Sequence, residues 1–188
     1  PTLLQPNINL IDTPIDTITE TGLRTKDGEH HDVDTIIYGT GFTPTAFLTP
    51  MQITGAKGQD LNHSWRGGAE AYLGISVSGF PNFFMMYGPN TNLSGSIVFM
   101  LESQSRYIVR CLKALQRRRA RTMNVSEDAQ RRLNEEIQRR IGDTVIMDDN
   151  CHSYFRTETG KVTTQWPGFM SEYLFRTRRV KRRDYEFG

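Results

Sequence analysis

Residues 81–121 limit the fold more than any other part of this sequence. Phe83, Phe84, Met85, Met86 and Tyr87 form an unbroken apolar run between Pro81 and Gly88, the pattern of a strand buried on both faces. The turn Gly-Pro-Asn-Thr-Asn-Leu-Ser-Gly follows at 88–95, and no proline intervenes between it and Arg121. Ile97, Leu101, Ile108, Leu112 and Leu115 recur at helical spacing while Glu102, Arg106, Arg110 and Lys113 fall largely elsewhere, which predicts a long helix over about 94–119. The start of such a helix offers unpaired N–H groups and partial positive charge, and a turn of small residues there lets an electron-rich ligand approach closely. On residues alone, a ligand site and plain packing both remain open for this unit.

Upstream, the chain reads as β structure. Short apolar stretches at Ile8 and Leu10, Ile15 and Ile18, Leu23, and Val33 to Ile37 are punctuated by Thr13-Pro14, Thr21-Gly22 and Asp27-Gly28. Asp27-Gly28 is the strongest hairpin signal, because a type I′ turn needs positive φ at two residues and these types tolerate it best. A small antiparallel unit leading into a strand over 35–38 is expected. That strand meets Gly39-Thr40-Gly41, a tight backbone-exposing turn, yet Pro44 forbids an immediate helix. Residues 43–79 are too rich in glycine for a long helix, and short strands fit better. Downstream, Ser126 is a good N-cap for a second helix carrying Ala129, Leu133, Ile137 and Ile141 and ending at Gly142, and a hairpin is expected around Thr159-Gly160.

Composition excludes more than it names. At 188 residues with a net charge of +2, the chain has room for one sizeable domain, or one and a fragment, and reads as an ordinary cytoplasmic protein without a membrane span. Two cysteines, Cys111 and Cys151, make no disulfide framework. Two basic clusters, Arg117 to Arg121 and Arg176 to Arg183, could touch nucleic acid or anionic lipid, but without a recognition motif they read as a solvated helix end and a solvated tail. His63, Cys151 and His152 fit no zinc spacing, so no metal is expected, and the adjacent Cys151-His152 pair is poorly arranged as nucleophile and base. Trp65, Tyr72 and Phe80 are expected in the core, since large aromatics bury wherever they can.

The order and wording of the pieces, "DTIIYGTGF", "WRGGAEAYLGISVSGFPNFFMMYGPNTNLSGS", "ESQSRYI" and "CHSYF…G…WPG", resemble the C-terminal half of the class B flavoprotein monooxygenases, and most of all the Baeyer-Villiger type. The flavin-containing monooxygenases share fewer pieces. The family's Asp-x-x-x-x-Ala-Thr-Gly-Phe signature stands here as Asp34 to Phe42, with Gly39 replacing Ala. The likeness runs from roughly Asn7 to Tyr185.

The resemblance implies an α/β fold, part of a flavoprotein with two dinucleotide-binding domains. Residues 1–40 would be the β-rich end of the NADPH-binding domain with its crossover, and 41–188 the C-terminal part of the FAD-binding domain. Thr40, Gly41 and Phe42 would lie beside the flavin, and the long helix would aim its start at the pyrimidine edge of FAD, with Asn92, Leu93 and Ser94 as backbone donors. Neither Gly-x-Gly-x-x-Gly fingerprint is present, nor a segment matching the family's active-site arginine, so FAD and NADPH are cofactors of the intact enzyme and this chain alone would hold about half a FAD site. By this likeness the whole enzyme inserts one oxygen atom of O2 into a ketone or aldehyde, or, in the flavin-containing relatives, into the N or S of a soft nucleophile. The chain alone is expected to be inactive; the alternatives are a non-enzymatic basic module that binds nucleic acid and a fragment whose exposed edges and apolar faces associate with copies of itself.

Overall fold

The computed structural model describes residues 2–92, 95–147 and 153–188. The chain divides into two compact units, Pro1–Phe42 and Thr43–Gly188.

The first unit is a three-stranded antiparallel sheet in the order β1 (Ile15–Ile18), β2 (Gly22–Thr25) and β3 (His30–Asp32), with a bulge between Ile15 and Thr17. Its β2–β3 hairpin is present but is not type I′. Only Gly28 has positive φ (91°), the Gly28 N–H donates to the Thr25 carbonyl at 2.9 Å, and the Thr25 N–H donates to Glu29 at 3.0 Å. This is a turn closed by a glycine bulge. Asp27 holds it through its side chain, accepting from the Thr25 hydroxyl at 2.5 Å and from the Glu29 N–H at 3.2 Å. The expected strand over 35–38 is absent: that segment has no regular structure, and Ile37 is 90% exposed. β-favouring side chains make a strand only where a neighbour takes the backbone hydrogen bonds.

The second unit holds α1 (Leu61–Ser64), α2 (Ile97–Arg118), β4 (Met123–Val125), α3 (Glu127–Gly142), α4 (Met170–Thr177) and β5 (Tyr185–Phe187). α3 starts and ends where its sequence signals place it, with the Ser126 hydroxyl accepting from the Ala129 N–H at 3.3 Å. α2 begins at Ile97, three residues later than expected, because Ser96 is its N-cap and accepts from the Phe99 N–H at 3.2 Å. It ends at Arg119 in the left-handed region (φ 54°). Its buried face is also rotated from the expected stripe: Met100, Ser103, Gln104, Tyr107 and Cys111 face the core, whereas Ile97, Val98, Val109 and Leu112 are exposed.

The apolar run 83–87 is not a strand. Asn82 and Tyr87 stand at φ 61° and 56° and break the extension at both ends; Met85 is buried, and Met86 and Tyr87 are exposed. The basic segment near the C-terminus is likewise no solvated tail. It leads from the end of α4 into β5, which pairs antiparallel with β4 in the register Met123↔Phe187 and Val125↔Tyr185. The main core joins α2, α3 and α4 through Met100, Tyr107, Ile137, Val162, Trp166 and Tyr173, and a smaller one gathers Leu61, Trp65, Val77, Phe80 and Met85. Trp65 and Phe80 thus lie in the smaller core and Tyr72 in the main one. Among the described residues no helix is long and apolar enough to cross a membrane.

Candidate functional site

The turn before α2 is closely held by its neighbours. Asn90 (φ 56°) and Thr91 are buried, and the Thr91 hydroxyl donates to the Gly88 carbonyl at 2.6 Å. Asn90 ties the turn to the segment 162–166: its N–H donates to Thr163 at 2.7 Å, and its Nδ2 donates to the carbonyls of Val162 at 2.9 Å and Gln165 at 3.0 Å. Next, the Asn92 N–H donates to Thr164 at 2.8 Å and the Trp166 N–H returns to the Asn92 carbonyl at 2.7 Å. Glycine permits the close approach behind this turn. A Cβ on Gly74 (φ 66°) would meet Thr91 Cγ2 at 2.0 Å, and one on Gly88 would meet the Gly74 carbonyl oxygen at 2.4 Å.

A buried polar relay then connects the turn to the helices. Gln104 on α2 accepts from the Tyr87 N–H at 2.8 Å and donates to the Tyr173 hydroxyl at 3.1 Å; Tyr173 on α4 donates to the Leu73 carbonyl at 2.6 Å. Burial raises the Tyr173 pKa well above its ordinary value, so this hydroxyl keeps its proton and remains a donor.

Beyond the turn, the start of α2 is open. Gly95, Ser96, Ile97 and Val98 are exposed. Ser96 caps the amide of Phe99. The residues expected to meet a cofactor therefore fall into three groups. Leu93 and Ser94 lie outside the described residues, as do Cys151 and His152. Asn92 is at the turn, but its N–H is already given to Thr164, a correction to its expected use as a backbone donor; its side-chain oxygen accepts from the Tyr87 hydroxyl at 3.2 Å. Thr40, Gly41 and Phe42 belong to the first unit, where Gly41 has φ 73° and Phe42 is 92% exposed. Sequence reasoning missed Asn90, Gln104 and Tyr173, whose partners are 17 to 100 residues away along the chain. An exposed helix start of this kind suits an electron-rich polar ligand.

No family model matches the chain. It is 38% identical over 180 residues to a Baeyer-Villiger monooxygenase of Pseudomonas aeruginosa, covering 95% of this chain and 34% of that protein. It is 35% identical over 184 residues to the FAD-binding monooxygenase ktnD of Aspergillus niger, covering 95% of this chain and 30% of the relative. The chain thus spans about a third of the length of the curated relatives it matches. Among solved structures, an oxidized steroid monooxygenase bound to NADP superposes with a TM-score of 0.76 at 27% identity, covering 97% of this chain and 36% of that one. An OTEMO complex with FAD and NADP gives 0.78 at 27% identity, covering 98% and 35%. The chain belongs to the class B flavoprotein monooxygenases and matches a C-terminal part of them.

Proposed function

We propose that this chain supplies one wall of the flavin site in an FAD- and NADPH-dependent monooxygenase that inserts one oxygen atom of O2 into a ketone or aldehyde, giving an ester or lactone. The observation that carries the reading is the braced turn 88–92, followed by the exposed start of α2 at Gly95 to Val98. Bound FAD would supply the electron transfer and the activation of oxygen. The chain's own part is electrostatic. Amide dipoles held in place by Ser96 and by the turn behind it stabilise negative charge on the ring without reorganising, and a donor of this kind is typically worth about 3 kcal/mol. Asn90, Gln104 and Tyr173 position that wall and touch no reacting atom. In the same proposal Thr40, Gly41 and Phe42 form the crossover beside the cofactor, residues 1–40 close the NADPH-binding domain, and the partner is the N-terminal part of the enzyme with its two dinucleotide fingerprints.

One more feature supports a protein partner. Val98, Val109 and Leu112, with half-buried Leu101 among them, recur at helical spacing along one side of α2, and Phe169 and Phe175 are 82% and 74% exposed. Joined to the N-terminal part of the Pseudomonas aeruginosa relative, the chain is expected to retain FAD through gel filtration and to oxidise ketones with consumption of NADPH; alone, it should do neither. A soluble, folded fusion that holds no flavin overturns the reading. Turnover of amines or sulfides in place of ketones would keep the flavin site and replace the substrate class.

A further inference from the structure

We propose that a cleft at the far end of α2 binds a compact polyphosphate anion, a site unrelated to the flavin chemistry above. The two basic clusters lie about sixty residues apart in sequence, and the fold brings them to the walls of one cleft of about 430 Å³. α2 contributes Arg110, Lys113, Arg117 and Arg118; the chain leaving α4 contributes Arg178, Arg179 and then Arg182. No carboxylate lines the cleft, and none of these seven cations forms an ion pair among the described residues. Elsewhere Arg24, Arg106, Arg131, Arg140, Lys161 and Arg176 all have carboxylate partners. A chain with 23 basic and 21 acidic residues has therefore sorted its charge and left one concavity strongly positive.

Helix ends do not account for this. The C-termini of α2 and α4 each carry about half a negative charge, enough to favour one or two cations but far short of seven. The floor is apolar, formed by Ala114, Val180 and Phe187, and the Arg118 guanidinium stacks over the Phe187 ring at 4.4 Å from its centroid. Stacking orients one planar fork, and low-polarity walls strengthen its attraction for an anion. The volume is that of a small-ligand site, and arginines read phosphoryl oxygens two at a time. Clustered phosphates are the ligand chemistry that seven cations in so small a cleft fit best, whether free polyphosphate or the tail of a nucleoside triphosphate. Arg117 lies twenty residues beyond Ile97, so about 30 Å of helix separates the cleft from the turn.

The test is titration calorimetry of the purified protein with inorganic tripolyphosphate at about 50 mM salt, repeated with ATP and with a short single-stranded RNA. One tripolyphosphate per chain is expected to bind with a dissociation constant of micromolar order, weakening about tenfold or more at about 200 mM salt. The double variant Arg117→Gln/Arg179→Gln, both exposed positions, should keep the circular dichroism spectrum and weaken binding about tenfold or more, the equivalent of about 1.4 kcal/mol. Arg131→Gln, in the ion-paired face of α3, should leave binding unchanged. ATP binding as well as tripolyphosphate points to the phosphates as the recognised group, and ATP binding much more tightly assigns the site to a nucleotide; both support a polyphosphate site. No saturable heat, binding indifferent to the double variant, or RNA binding far more tightly than tripolyphosphate each overturns it.

Discussion

Two glycine turns stand out in this chain, and they differ in what holds them. Gly39-Thr40-Gly41 belongs to a signature stretch of the family, yet nothing lies within 4 Å of where a Cβ on Gly39 or Gly41 would sit. Gly88-Pro89-Asn90-Thr91 is buried, and its neighbours leave no room for a single added carbon at Gly88 or Gly74. The second turn has its shape imposed by packing within its own unit. The first has only its backbone preference. A motif that the sequence announces loudly can thus be weakly determined by its own unit, which is what a segment kept for binding would show.

The sharpest test of this contrast is Gly74→Ala. The new Cβ would overlap buried Thr91 at a residue already in the left-handed region, and neither the Thr91 methyl nor the Pro89 carbonyl 2.8 Å away has space to retreat. A loss of about 3 kcal/mol or more is expected, read as a lower urea midpoint. Cys111 offers a second readout in a Cys151→Ser background. Burial pushes its thiol up to about 12, so it should resist a thiol reagent at neutral pH in the parent and react in the Gly74 variant. If Gly74→Ala is as stable as the parent, the second turn is not braced as described.

Asn90→Ala should cost less, about 2 kcal/mol, since it removes two side-chain hydrogen bonds and leaves the carbonyls of Val162 and Gln165 without those donors. Thermal unfolding checks this, and Asn90→Asp should not rescue it because a carboxylate cannot donate.

These positions also mark what the sequence made legible. α3 was readable end to end because its caps and its apolar steps of four are all local signals. α2 was readable as a helix but not in its orientation: its core face contains Ser103 and Gln104, and Gln104 is buried because the Tyr87 amide and Tyr173 hydroxyl satisfy it. Counting hydrophobic residues cannot find a polar residue whose partner comes from elsewhere. β4 and β5 were missed for a related reason, being three-residue strands paired across some sixty residues of chain. The run 83–87 misled in the opposite sense, with the composition of a buried strand and left-handed residues at both ends. At the candidate site the turn itself was legible, whereas its bracing by 162–166 was not.

Acid should loosen the brace by a smaller amount. Arg140 donates to Glu172 at 2.7 Å and to the Pro167 carbonyl at 3.1 Å, beside the Trp166 that pairs with Asn92. Hydrogen bonds from Arg140 hold the Glu172 carboxyl below its ordinary value of 4.5, and those from Arg176 do the same for Glu136. Both folded values are depressed, so the stabilisation is fully present above pH 4.5 and is lost as pH falls below it, through the folded values. About 1 kcal/mol is expected after allowing for partial exposure. Comparing melting temperatures at pH 6 and pH 4 checks it: the parent should fall further than Glu172→Gln, and equal falls would remove the network from the brace.

The smallest effect on stability belongs to the first turn and decides what its glycine is for. Gly41 has φ 73° in open surroundings, so Gly41→Ala should cost about 1 kcal/mol in the first unit, while Gly41→Asn, a residue that tolerates this region, should cost nearly nothing. If the glycine serves only the turn, Asn should therefore behave as the parent in every respect. If it serves the close approach of a cofactor, both variants place a side chain where the ring must come. Each should then release FAD more readily from the fusion with the Pseudomonas aeruginosa N-terminal part, Asn as much as Ala despite its unchanged stability. Retention of FAD by Gly41→Asn at the parent level would reduce the family's signature here to a turn preference and leave the flavin wall to the braced turn alone.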